Sequence, residues 1–124
     1  MPATTTTTLD ELKWKHRIIA YAAANGKNAP IAPTLERYAD AIAERAIVFI
    51  DLHPSVSSPE RFHIRLSQTE LRALKARLKP ASDATTLFLI GKDGSLKKTI
   101  NHFRLPILFE AIDQMPMRRA EIRQ

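Results

Sequence analysis

Residues 88–97 read Phe88-Leu-Ile-Gly-Lys-Asp-Gly-Ser-Leu-Lys97. An apolar run meets a Gly-Lys-Asp-Gly turn, and a more polar run follows. With Thr85-Thr-Leu before it, the apolar half predicts a buried strand over 85–90. The Asp93-Gly94 pair supplies the positive φ that a tight hairpin needs. The second half, Leu96-Lys-Lys-Thr-Ile-Asn-His102, predicts an edge strand whose lysines discourage further pairing.

Toward the N-terminus, Arg17-Ile-Ile-Ala-Tyr-Ala-Ala23 is a short apolar run, consistent with a strand buried on both faces. Ala46-Ile-Val-Phe-Ile-Asp-Leu52 is another, rich in β-branched and aromatic residues. Asn25-Gly-Lys-Asn-Ala-Pro30 reads as a loop. A helix is expected from Pro33 or Thr34 to Arg45, with Thr34 as N-cap and Leu35, Tyr38 and Ile42 on one face. Residues 53–63 are loop-like, and Phe62-His-Ile-Arg-Leu66 alternates as a short extra strand would. Ser67-Gln-Thr-Glu70 is a capping box opening a helix with Leu71, Leu74 and Leu78 inward, and Pro80 stops it. Pro106 suits position N1 of a last helix, striped by Leu108, Ala111, Ile112 and Met115. Pro116 is expected to end that helix and leave a basic tail.

The order is β-α-β-α-β-β-α. The first two strands should run parallel through a right-handed crossover, and the last two form an antiparallel hairpin. That is a thioredoxin-like α/β layout, a mixed four-stranded sheet with helices on both faces. Residues 1–11 are expected as a flexible Thr-rich tail and 12–124 as one thioredoxin-like domain.

Composition narrows the chemistry. There is no cysteine, which removes disulfides, thiolate nucleophiles, thiolate metal sites and dithiol redox chemistry. No apolar run approaches the roughly 20 residues that span a bilayer. Met1-Pro-Ala-Thr-Thr-Thr-Thr-Thr8 has neither the basic start nor the apolar stretch of a signal peptide. The formal charge is +6, from 19 Lys and Arg against 13 Asp and Glu, a balance that suits a polyanionic partner. The densest basic region, Arg61, Arg65, Arg72, Lys75, Arg77 and Lys79, falls mostly on an expected helix and reads as its solvated face.

Several motifs occur in order. They are Trp14-Lys-His-Arg17 before the first strand, Glu44-Arg45 before the second, Phe88-Leu-Ile-Gly-Lys-Asp-Gly94, and Ile112-Asp-Gln-Met-Pro-Met-Arg118. Together they resemble a bacterial family of domains of unknown function. That family is similar to the peroxiredoxin-like, thioredoxin-fold domains (P-DUDES) of sushi-repeat-containing and related animal extracellular matrix proteins. The resemblance spans roughly Leu12 to Arg123. It implies the fold, and it implies export for many relatives. It brings no established catalytic set and no cofactor. Working thioredoxins and peroxiredoxins carry their reactive cysteine after the first strand, where this chain has Ala22-Ala-Ala-Asn-Gly-Lys-Asn-Ala-Pro30. They place a proline just before the third strand, where this chain has Ala84-Thr85.

On that layout the candidate residues divide between two poles. The C-terminal ends of the parallel strands, where such folds do chemistry, collect Asn25, Lys27, Asp51, His53, His102 and Arg104, with His63 nearby. Asp51, His53, His102 and Arg104 are the candidate binding residues. Histidines beside a carboxylate are the material of acid–base work or of a divalent metal site, although no pair has a tight ligand spacing. The opposite pole collects the motif residues Trp14, Arg17, Glu44, Arg45, Lys92, Asp93, Gly94, Asp113, Met115, Met117 and Arg118, read as structural. There Asp113 is expected to pair with Arg17 or Arg45 and latch the last helix, and Met115 and Met117 to pack on Trp14. Arg118 and Arg119 are expected to complement a helix C-terminus. The leading functional expectation is a non-catalytic binding or interaction domain without the redox cysteine, its partner a protein or a polyanion. The alternatives are an enzyme built on the His/Asp cluster, with or without a metal, and a basic polyanion-binding module.

Overall fold

The computed structural model describes residues 8–22, 31–53, 62–80, 85–101 and 104–122, without the side chains of residues 31, 32, 116 and 117. Asn25, Lys27 and His102, the Asn25–Pro30 loop and the Met117 side chain lie outside the described residues. The elements are α1 (Leu9–Leu12), β1 (Arg17–Ala22), α2 (Ile31–Arg37), α3 (Ala39–Glu44) and β2 (Ile47–Asp51). After them come α4 (Gln68–Leu78), β3 (Thr86–Ile90), β4 (Leu96–Ile100), α5 (Leu105–Asp113) and α6 (Pro116–Ile122).

The sheet order is β2-β1-β3-β4. β1 and β2 are parallel, in register from Arg17↔Ile47 to Tyr21↔Asp51. β3 runs antiparallel to β1 and to β4, with an irregularity between Leu89 and Ile90. β4 is an edge strand, with Leu96, Lys97, Lys98 and Thr99 exposed. The fold is thioredoxin-like.

The pleat sends alternate side chains to opposite layers. Ile19, Tyr21, Phe49, Leu87 and Leu89 join Leu35, Ile42, Leu105, Leu108, Phe109 and Ile112 under α2, α3 and α5. Ile18, Ala20, Ile50, Phe88 and Ile90 join Leu12, Leu74 and Leu78 under α1 and α4. β1 and β3 are therefore buried on both faces, which is why they read as unbroken apolar runs.

The hairpin forms around Gly94, at φ +85°. Gly94 N–H donates to Gly91 O at 3.0 Å, and Gly91 N–H donates to Ser95 O at 2.9 Å. Asp93 Oδ1 accepts from the amide and the hydroxyl of Ser95, at 3.0 and 2.8 Å.

Several expectations are corrected. The helix expected from Pro33 or Thr34 to Arg45 is two helices, broken at Tyr38, whose φ is −106° and ψ 20°. Thr34 lies inside α2 and is not its cap. Pro33 is tolerated there because the first helical turn needs no amide donor. The break lets the Tyr38 ring meet Phe109 edge-on, with centroids 5.6 Å apart. Pro116 does not end the chain's helical structure. It opens α6, so the supposed basic tail is a helix. The Phe62–Leu66 stretch makes one isolated parallel bridge, Phe49↔His63. The capping box forms by half: Ser67 Oγ accepts from Glu70 N at 3.2 Å, but Glu70 Oε2 accepts from Leu9 N at 3.2 Å instead of reaching back. α1 takes in residues assigned to the tail, and Thr8 Oγ1 caps it by accepting from Glu11 N at 3.2 Å.

Candidate functional site

The starts of β1 and β2, the hairpin, the end of α3 and the junction of α5 with α6 meet at one pole. Arg17 heads β1 and is only 1% exposed. A guanidinium in that position must be paired, because a bare buried charge costs several kcal/mol. Its partner is Glu121 on α6, engaged by Nη1 and Nη2 at 3.3 and 3.2 Å. Arg17 Nη1 also donates to Arg45 O at 2.9 Å. Arg17 Nε is buried and has no partner among the described residues. Lys92, from the hairpin, donates to the same Glu121 at 2.7 Å.

Arg45 grips Asp113 with a two-pronged contact, Nε to Oδ1 at 3.1 Å and Nη2 to Oδ2 at 2.8 Å. Its guanidinium carbon also lies 5.0 Å from the centroid of the Phe109 ring. Of the two partners the sequence offers Asp113, then, Arg45 takes it and Arg17 goes to Glu121. Arg118, 4% exposed, donates to Asp113 Oδ1 at 3.2 Å, to Glu44 O at 3.2 Å and to Glu44 Oε1 at 2.7 Å. Arg118 sits in the first turn of α6, the wrong end for the macrodipole role expected of it. Arg119 does lie in the last turn.

These contacts fix the charge states. Hydrogen bonding from Arg45 holds the Asp113 carboxyl below its ordinary range, against the opposing effect of burial. Burial works against the Glu121 charge, but Lys92 and Arg17 outweigh it and keep that carboxyl low as well. Burial likewise opposes the Arg118 charge and is overcome by Glu44 and Asp113. On the turn, the Ser95 amide, then Lys97 and the Ser95 hydroxyl, lower Asp93 to about 2.

Trp14 does not pack on Met115 as expected. It is 64% exposed and belongs to neither core layer, while Met115 packs against the α5 side. What this pole takes from Trp14 is its backbone: φ is +69°, and its amide donates to Lys92 O at 2.6 Å. A groove of about 470 Å³ lies between the hairpin and the end of α5, lined in part by Arg17, Lys92, Lys97, Ala111 and Met115.

The other pole gathers Tyr21, Asp51 and His63. Tyr21 and Asp51 are register partners at the ends of β1 and β2. Tyr21 Oη and His63 Nε2 are 2.8 Å apart, and the imidazole also meets the Phe49 ring at 5.8 Å. Burial, then the charge of Asp51 and a hydrogen bond to it, push the Tyr21 phenol up. Asp51 is 8% exposed, and its Oδ1 accepts from His53 N–H at 2.9 Å. The His53 side chain is exposed. Arg104, the N-cap residue of α5, lines a separate groove of about 490 Å³ with Thr34, Arg37, Tyr38 and Glu110. Among the described residues, no three His, Asp or Glu form a group that could hold a metal ion.

Glu121 and Tyr21 are the participants that the sequence reading missed. Each had a signal: an arginine heading a buried strand requires a carboxylate, and a tyrosine inside one requires a partner for its hydroxyl.

Residues 8–121 match the family described as Domain of unknown function (DUF4174). The chain belongs to that family. No curated protein matches it. Among solved structures, the family member is similar to the reduced 2-Cys peroxiredoxin of Plasmodium vivax. The TM-score is 0.64 at 12% identity, over 90% of this chain and 84% of that one. It is also similar to the exposed lipoprotein thioredoxin Etrx1 of Streptococcus pneumoniae, at TM-score 0.53 and 15% identity over 86% and 90% of the two chains. Copper-bound ScoI of Arabidopsis thaliana gives TM-score 0.53 and 13% identity over 86% and 89%. At these identities the likeness is one of fold.

Proposed function

We propose that this chain is a non-catalytic binding domain on a peroxiredoxin-like thioredoxin fold. The observation that carries the reading is the absence of cysteine from a chain with that fold. The nucleophile of thiol peroxidase and disulfide chemistry is a thiolate, and this chain has no cysteine to supply one. The groups at the C-terminal pole point the same way. Tyr21, His63 and Asp51 engage one another or the backbone through hydrogen bonds, which supports a role in holding the strand ends together. The Gly-Lys-Asp-Gly and Met-Pro-Met-Arg motifs resemble those of the P-DUDES domains of matrix proteins, a resemblance that brings no catalytic set with it.

The test is peroxide turnover by the purified chain, with and without added dithiol. The expected rate is that of buffer. Turnover above buffer in the absence of thiol overturns the reading. The rival enzyme reading builds its chemistry on Asp51, His53 and His102, with or without a metal. Its metal-bound form predicts zinc or another divalent ion in elemental analysis and a melting temperature that rises with added metal.

A further inference from the structure

The groove at the motif pole carries an unbalanced positive charge. In the network beside it, Arg17, Arg45, Lys92 and Arg118 face three carboxylates, those of Glu44, Asp113 and Glu121. Among the described residues, four cations against three anions leave one charge uncompensated, and Arg17 Nε is left without an acceptor. Lys97 and Asp93 form a separate pair at 3.0 Å that cancels itself.

Donors remain as well. An ammonium carries three N–H bonds. Lys92 Nζ uses one on Glu121 and Lys97 Nζ one on Asp93, so each retains two. Asp93, the carboxylate on the groove's lining, is already occupied by Ser95 and Lys97. Gly91 leaves room for this arrangement: a Cβ there would stand 2.7 Å from Lys97 Cε, so a larger residue would make the flexible end of the lysine shift. The opposite wall, from the end of α5, is mostly apolar: Ala111 and the adaptable thioether of Met115 pack against the core, with Gln114 between them. The volume, about 470 Å³, falls in the range of small-ligand sites.

We propose that this groove binds a small amphipathic carboxylic acid as its anion. The carboxylate sits on the Lys92 and Lys97 ammonium groups and the hydrocarbon body lies along Met115 and Ala111. One surplus charge suits a monoanion, and the apolar wall suits a ligand that is mostly hydrocarbon. This assignment rests on the reading of the chain as a binding domain and names its ligand class.

The experiment titrates the full chain at low salt with sodium octanoate, followed by calorimetry and by amide and methionine-methyl NMR. Octanol and acetate serve as the uncharged and the chain-free controls. Saturable shifts are expected at Gly91 to Lys97 and at the Met115 methyl, with octanol and acetate each binding about tenfold more weakly or worse. Lys97→Gln should weaken octanoate by about tenfold with the melting temperature unchanged, and Lys97→Glu should abolish it. Absence of saturable shifts, equal binding of octanol, or octanoate binding indifferent to Lys97→Gln overturns the proposal. So does a peptide with a free C-terminal leucine that saturates the groove where octanoate does not. A null titration together with no peroxide turnover removes this site and leaves the binding-domain reading standing. Peroxide turnover removes that reading whatever octanoate does.

Discussion

The two ends of the sheet bury polar groups in different ways. At the C-terminal end of β1 and β2, Tyr21 and His63 share a hydrogen bond, and the Asp51 carboxylate spends an oxygen on a backbone amide. At the other end the same two strands begin among seven charged groups that tie α3, α5, α6 and the hairpin together. The first arrangement is local to the strand ends and their nearest bridge. The second joins residues as far apart in sequence as Arg17 and Glu121. Loop closure over such distances costs entropy that these contacts must repay.

The comparison breaks most readily at Glu121. Glu121→Ala strips the carboxylate from a guanidinium that is only 1% exposed. The expected loss is about 3 kcal/mol in urea unfolding, the cost of leaving a buried charge uncompensated. A loss below that of the next variant would reverse the ranking of the two ends.

That variant is Tyr21→Phe. It leaves His63 and Asp51 each short of one partner without emptying the core. About 1–2 kcal/mol is expected, measured in the same way.

The pH dependence sharpens the contrast further. Glu121 and Asp113 have folded-state carboxyls held below their unfolded values. A depressed carboxyl contributes stability above the unfolded value of about 4, and that contribution fades as pH falls through the folded one. Melting temperature should therefore drop as pH falls from about 5 toward 3. The double variant Asp113→Asn, Glu121→Gln should show a shallower drop. An identical slope in the two proteins would mean that other carboxylates govern acid unfolding.

Much of the fold was legible because its signals are local. Alternation and apolar runs placed all four strands, and Asp93-Gly94 placed the hairpin with Gly94 in the left-handed region. What failed was also local, but decided by tertiary contact. Tyr38 breaks a helix that its own sequence would continue, and its ring lies against Phe109. Pro116 allows two readings, a stop or a start, and the ion pairs of Arg118 and Glu121 accompany the start. α1 is four residues long, and its capping Thr8 is hidden among other threonines. At the motif pole the participants were named almost completely, yet their pairing was not. Charge partners recur at no fixed spacing, and Glu121 lay in what read as a basic tail. At the opposite pole the histidines drew attention as potential ligands, while the tyrosine that engages His63 read as one more apolar position in a strand.

The proposal that the motif residues form a structural latch is tested most directly at Asp113, where Arg45, at the end of α3, and Arg118 of α6 converge. The measurement is urea unfolding of Asp113→Ala beside the unaltered chain at neutral pH and low salt. The carboxylate is about one-third exposed, at 34%, so the full cost of breaking a buried pair does not apply. A loss of about 2 kcal/mol with an unchanged denaturant slope is predicted. A variant as stable as the parent would contradict the latch and return the motif residues to the list of candidates for binding or chemistry.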